Sequence, residues 1–217
     1  MTGFFAAQGA IEKSDESFRI VHDAAHGVNV HTKLKMRDQV RMPTAGDGRA
    51  VMELCSSERP GVHFALQADV SKAHRRYLHK KSEWGLLACK TEQNSDRIWL
   101  NKVGIFGCST AGYWWSRLIG AAGRAVLSLL CPSWFFLLDF ADDLRLQAFG
   151  PTKYEDILLC MLLFEMMGTP FSWKKCRGGL ALDWLGYWID YQRFEVGVSE
   201  KRALWLIVWG EKTLQEY

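Results

Sequence analysis

The stretch Phe135-Phe-Leu-Leu-Asp-Phe-Ala-Asp-Asp-Leu-Arg-Leu-Gln-Ala-Phe149 constrains this chain more than any other. Two adjacent aspartates, Asp142 and Asp143, sit between apolar runs, and the pattern predicts a β-hairpin whose tight turn holds the pair. Two like charges at a rigid turn repel unless a cation neutralises them, and hard carboxylate oxygens suit Mg²⁺ or Mn²⁺. Taken alone, the pair reads equally as an exposed turn with no task. Asp139, earlier on the same strand, reads as a solvent-face residue rather than a ligand.

A third carboxylate is what a two-metal site needs, because bridging ligands must come from more than one element. Asp69 supplies it, at the end of the apolar strand expected from Val62 to Ala68. The run that follows, from Ser71 to Lys81, carries Lys72, Arg75, Arg76, Lys80 and Lys81, interleaved with His74, Tyr77 and His79. This is the densest basic patch in the chain and suits a phosphate backbone; a solvated helix face would account for it otherwise. The formal net charge of +3 is too small to argue for a polyanionic partner without that clustering.

With 217 residues, 48% hydrophobic and 24% charged, the chain can bury a full core as one domain or a domain with a small lobe. The first 60 residues are polar and Gly-bearing, with a turn-rich piece over 42–48, and read as a smaller, looser lobe. Beyond them the pattern predicts a basic helix-like run from Ser71 to Ala88, a strand from Arg97 to Phe106 and a long helix from Ser109 to Leu130. Strands from Trp134 to Ala141 and Leu144 to Phe149 follow, then a helix opening on a Thr152–Glu155 capping box. A hairpin turning at Gly178-Gly179 and an amphipathic helix from near Ser199 complete an α+β domain with helices on a mainly antiparallel sheet.

Six cysteines without C-x-x-C spacing read as reduced thiols of an intracellular protein, and the first 20 residues lack a secretory signal. The apolar stretches 118–138 and 157–167 are interrupted by Arg124, Pro132 and Glu165, so they read as core and no membrane partner is expected. His22 and His26 have i, i+4 spacing but no third ligand nearby, and Ser109 reads as a helix cap. Most of the tryptophans, Trp184 among them, read as core and groove walls.

Over nearly its whole length the chain resembles the reverse transcriptase domain. Asp69-Val-Ser-Lys-Ala73 is similar to the family's first catalytic motif, and Phe140-Ala-Asp-Asp143 to its aromatic-x-Asp-Asp motif. Between them, Phe106-Gly-Cys-Ser-Thr-Ala-Gly-Tyr-Trp-Trp115 resembles the stretch whose glycine turn and helix line the template and nucleotide site. Trp173-Lys-Lys-Cys176 resembles the lysine motif near the triphosphate, and Trp184-Leu-Gly-Tyr-Trp-Ile-Asp190 the hairpin that grips the primer end. Phe18-Arg-Ile-Val-His-Asp23 and Asn29 resemble the fingers motif. The strings are individually weak, but six stand in the family's order.

The resemblance implies a right-hand polymerase palm, a ferredoxin-like antiparallel sheet with packed helices, plus a small fingers lobe and no thumb. It implies a fingers-like lobe over 1–61, a palm over 62–198 and a C-terminal helix over 199–217. It implies RNA-directed DNA polymerase activity with two Mg²⁺ (or Mn²⁺) ions on Asp69, Asp142 and Asp143, and Lys175 serving the leaving group. Lys13, Arg19, His74, Phe106 and Gly107 would meet the deoxynucleoside triphosphate. The basic run, Trp184 and Gly186 would meet an RNA or DNA template with its primer. His74 stands where the family carries Phe or Tyr against a ribose 2′-hydroxyl, and Gly112 and Ile105 where many relatives have Pro. The competing expectation is a catalytically silent nucleic-acid-binding remnant.

Overall fold

The hairpin expected around the aspartate pair forms, and the central sheet is built on it. The computed structural model describes residues 7–13, 16, 18–23, 35–92, 94, 96–130 and 134–215. It divides into two compact units: Met1–Arg41 with Lys72–Ile119, and Met42–Ser71 with Gly120–Tyr217.

The first unit holds the antiparallel hairpin β1 (Ala7–Glu12) and β2 (Phe18–Asp23). The basic run is not the expected helix. Lys72 takes a left-handed φ of 55°, only the single 3-10 turn Ala73–Arg75 follows, and Leu78 pairs with Val103 as His79 N–H donates to the Lys102 carbonyl at 2.9 Å. Pairing with a distant segment therefore overrides local helix preference. A second 3-10 stretch covers Lys81–Leu87, then β4 (Ala88–Cys89) pairs with β5 (Trp99–Leu100), so the strand expected from Arg97 to Phe106 is reduced to these two residues and the Val103 bridge. The long helix spans Ser109–Leu130 as expected (numbered α2 below, after α1 at Ala45–Glu58), with residues up to Ile119 in this unit.

The second unit carries the sheet β6 (Phe135–Phe140), β7 (Asp143–Ala148), β3 (Phe64–Asp69) and β8 (Arg177–Gly179), all antiparallel, in the order β6-β7-β3-β8. Gly178 and Gly179 lie in β8 instead of turning a hairpin. A Cβ on Gly178 would come 2.8 Å from the Phe64 ring, so glycine is what allows this strand to approach β3. The turn falls at Leu185-Gly186, both at positive φ, inside the meander β9 (Ala181–Trp184), β10 (Tyr187–Asp190), β11 (Glu195–Val198).

Both faces of the central sheet are covered. Leu144, Leu146 and Ala148 are fully buried on one, toward α3 (Lys153–Met166) and the second half of α2, where Gly123 approaches Leu137. Each such leucine stabilises the fold by about 1.5–3 kcal/mol. Asp139 lies on this face half-buried, so it is not the solvent-face residue expected; burial pushes its carboxyl up, with Arg124 opposing.

On the other face, α1 and the meander pack through Met52, Trp184, Ile189 and Tyr191 around Ala65. The piece read as turn-rich is the start of α1: Thr44 N–H donates to Asp47 Oδ2 at 2.7 Å, and Asp47 N–H to Thr44 Oγ1 at 3.4 Å, a complete capping box. The box expected at Thr152 does not form; with φ −95° and ψ 11° its hydroxyl donates instead to Asp156 at 2.9 Å.

Helix α4 (Glu200–Gln215) exposes Leu204, Trp205, Ile207 and Trp209. Among the described residues no helix is long and apolar enough to cross a membrane, and the five described cysteines are free.

Candidate active site

Asp69 and Asp143 are register partners at one end of the central sheet, so their side chains leave the same face of adjacent strands. The two-residue turn Ala141-Asp142 joins β6 to β7. Ala141 takes φ 55° there, a conformation that favours glycine, and such strain in a non-Gly residue collects at functional turns. Val70 N–H donates to the Asp142 carbonyl and Ser172 N–H to the Asp69 carbonyl, both at 2.8 Å, so backbone bonds from two other segments fix the aspartates.

The short 3-10 turn Trp173–Lys175 delivers Lys175, whose Nζ lies 3.0 and 2.9 Å from the two Asp69 carboxylate oxygens. Among the described residues, the Asp143 carboxylate accepts a long bond from Gln67 at 3.5 Å. Burial, reinforced by the Asp142 and Asp69 charges, pushes the Asp143 carboxyl above its usual range, with Gln67 and Lys175 opposing. A concentrated negative field thus remains after Lys175 is counted. The hard-oxygen donor set fits divalent cations, with the Lys175 ammonium standing in for positive charge on Asp69. Among the described residues no group of three or more His, Cys, Asp and Glu side chains is already arranged to hold an ion.

The residues expected to meet a nucleotide cluster in the first unit. Arg19 lies over the Phe106 ring at 5.1 Å, and His74 meets the same ring edge-on at 5.0 Å. His22 N–H donates to the Phe106 carbonyl at 3.0 Å. Gly107 takes φ +93°, and a Cβ there would sit 1.8 Å from the His22 carbonyl oxygen, so no other residue fits. Lys13 is exposed just past β1. His22 is buried, and burial assisted by Arg75 lowers its pKa; Asn29 and His26 lie outside the described residues.

Lys72, Arg75, Arg76, Lys80 and Lys81 are all exposed. Trp184 is 4% exposed and packs beneath Arg145, so its ring serves the core and offers no surface to nucleic acid, while Gly186 forms the β9–β10 turn at φ +79° beside Arg202.

Sequence reasoning passed over Arg145, 2% exposed between the Trp184 and Tyr191 rings at 5.4 and 5.3 Å. Its Nη2 donates to Gln147 Oε1 at 2.7 Å, and Gln147 Nε2 lies 3.3 Å from His63 Nδ1. His63 Nε2 lies 3.1 Å from the Arg59 carbonyl, which makes Nε2 the donor and Nδ1 the acceptor for Gln147.

The fold is shared with solved polymerases. The chain is similar to the foamy viral protease-reverse transcriptase dRH in complex with double-stranded DNA, with a TM-score of 0.68 and 13% identity, covering 91% of this chain and 31% of that one. The same viral protein with an RNA/DNA hybrid gives 0.64 and 13%, over 91% of this chain and 24% of that one. Apo telomerase from Candida tropicalis, truncated from its C-terminal domain, gives 0.60 and 8%, over 91% and 55%. No protein-family model and no curated protein matches the sequence. The chain has a reverse transcriptase-like fold and spans about a third or less of the foamy viral chains it resembles.

Proposed function

We propose that this chain is the palm and fingers of an RNA-directed DNA polymerase, extending a primer 3′ end on an RNA template with deoxynucleoside triphosphates. One observation carries the reading: in a reverse transcriptase-like fold, Asp69, Asp142 and Asp143 gather at one sheet end with Lys175 beside them. Asp69 and Asp142 would hold two Mg²⁺ or Mn²⁺ ions, with Asp143 on the primer side. Bound there, the ions would supply a lowered pKa for the primer hydroxyl and countercharge for pyrophosphate.

The residues themselves position and neutralise. Lys175 holds a proton and a positive charge where a leaving group needs one. Arg19 and the Phe106-Gly107 turn form a cationic, aromatic surface suited to a nucleotide, with His74 in place of a larger ring at the sugar. The exposed cations from Lys72 to Lys81 suit a phosphate backbone, and the β9–β10 hairpin would support the primer end. Neighbours of the same fold in complex with DNA or an RNA/DNA hybrid support a nucleic-acid partner.

The Lys175–Asp69 ion pair favours the second reading, a silent nucleic-acid-binding remnant, because it occupies oxygens a cation would need. Primer extension on an RNA template with Mg²⁺ or Mn²⁺ separates the two. Extension that disappears in Asp69→Asn supports the polymerase; template binding without extension supports the remnant.

A further inference from the structure

Helix α3, in the second unit, has two apolar faces, and the fold buries one of them. Ile157, Cys160, Met161 and Phe164 are buried toward the central sheet, as expected of the whole 157–167 run. Leu158, Leu159, Leu162 and Met166 are exposed on the opposite side, Leu158 by 67% and Met166 by 74%, so only half of that run is core. Tyr154, Leu158, Leu162 and Met166 recur every four residues and therefore stand in one row along the helix. Leu159 lies beside the row and the exposed Met167 just past its end. The Phe64 ring, edge-on at 4.9 Å, holds Tyr154 at its head.

A surface helix normally turns polar side chains to its outer side, and large contiguous apolar patches mark interaction sites. These six side chains expose on the order of 600 Å², near the ~800 Å² that each partner contributes to a standard interface. Charge narrows the occupant. From Tyr154 to Met167 the chain carries Glu155, Asp156 and Glu165 and no Lys, Arg or His, whereas nucleic acid and an anionic lipid surface are both bound through cations. The adjacent Lys153 is turned onto the Tyr154 ring at 4.7 Å.

We infer that this chain forms a two-fold dimer through the outer face of α3. Rows of side chains four apart interdigitate when helices pack, so the row is complementary to a second copy of itself. An antiparallel arrangement also opposes the two helix dipoles. A two-fold axis at Cys160, the middle of the row, sets Leu158 of each copy against Leu162 of the other. With about 1,200 Å² buried in total, the interface stands at the small end of the stable range, so monomer and dimer should exchange at ~1–100 µM. The inference stands apart from the polymerase reading and uses none of its residues.

The test is sedimentation equilibrium of the full chain over ~1–100 µM, where the mean mass should rise from 24.8 kDa toward twice that value. Leu158→Glu and Leu162→Lys should each weaken association at least ~10-fold, with an unchanged melting temperature because both positions are exposed. Mixing the two variants should restore the dimer, because the new carboxylate then faces the new ammonium across the axis. A wild type that stays monomeric to ~100 µM, or a dimer that both variants leave intact, would overturn the inference. Flotation of monomeric wild type with phosphatidylcholine vesicles, lost in both variants, would assign the face to a lipid surface and overturn the second copy as its occupant.

Discussion

Asp143 and Arg145 stand two residues apart on one face of β7, yet their surroundings are opposite in kind. Asp143 lies at the end of the strand among like charges, with Asp69 and Asp142 beside it and Lys175 in partial compensation. Arg145 lies beneath α1 and the meander, held by aromatic faces and by the Gln147–His63 relay. The strand end gathers like charges in partial contact with Lys175, while the strand middle buries one cation with aromatic faces and a single Gln147 oxygen as partners, its Nε and Nη1 left without hydrogen-bond partners among the described residues. Position relative to the covering elements, more than residue type, separates a candidate site from a polar core.

The comparison breaks most visibly through activity. Asp142→Asn should lower primer extension by at least ~1,000-fold with an unchanged melting temperature, since it removes charge that acts on the reacting groups. Gln147→Ala should do the reverse, leaving activity per folded molecule intact. It strips Arg145 of its acceptor and opens a cavity, at a cost of about 3 kcal/mol or a fall of roughly 8 °C in Tm by calorimetry. Arg145→Met sharpens the point, because replacing a buried cation by an apolar side chain of similar length removes the desolvation cost together with the bonds. Its stability should stay within about 1 kcal/mol of wild type in denaturant titration.

The smallest effect is in the pH dependence, where the two regions have opposite signs. Burial lowers the His63 pKa, with its bond to the Arg59 carbonyl opposing. The unfolded chain therefore takes up that proton first, and stability contributed here falls as pH drops below about 6.5. The raised Asp143 pKa means that the folded state protonates first, so stability contributed there rises as pH falls from neutral toward the usual carboxylate range. Without divalent cations, Asp143→Asn should stabilise the protein near pH 7 by about 0.5 kcal/mol, discounted for solvent screening, and by less near pH 4. Equal curves for variant and wild type would remove Asp143 from the strained end.

The acidic end was legible because its apolar flanks and short turn leave one economical construction, and the 109–130 helix because its apolar run is long and ends cleanly. The Arg145–Gln147–His63 relay was not, because the alternation Asp143-Leu-Arg-Leu-Gln-Ala148 is that of a strand with one wet face, and nothing local announces that α1 covers it. Thr44-Ala-Gly-Asp47 held a readable cap, masked by Pro43 and two glycines that signal a turn. The segment from Ser71 to Lys81 read as helical because its charges suit a solvated face, while its bridge to Val103 is a long-range contact that no local pattern carries.

The central claim, that the strand end is a cation site and the strand middle is not, is tested most directly by titrating Mn²⁺ by electron paramagnetic resonance into wild-type protein, Asp142→Asn and Arg145→Met. The account predicts saturable binding to wild type, at least ~10-fold weaker binding to Asp142→Asn and unchanged binding to Arg145→Met. Equal binding by wild type and Asp142→Asn would contradict it.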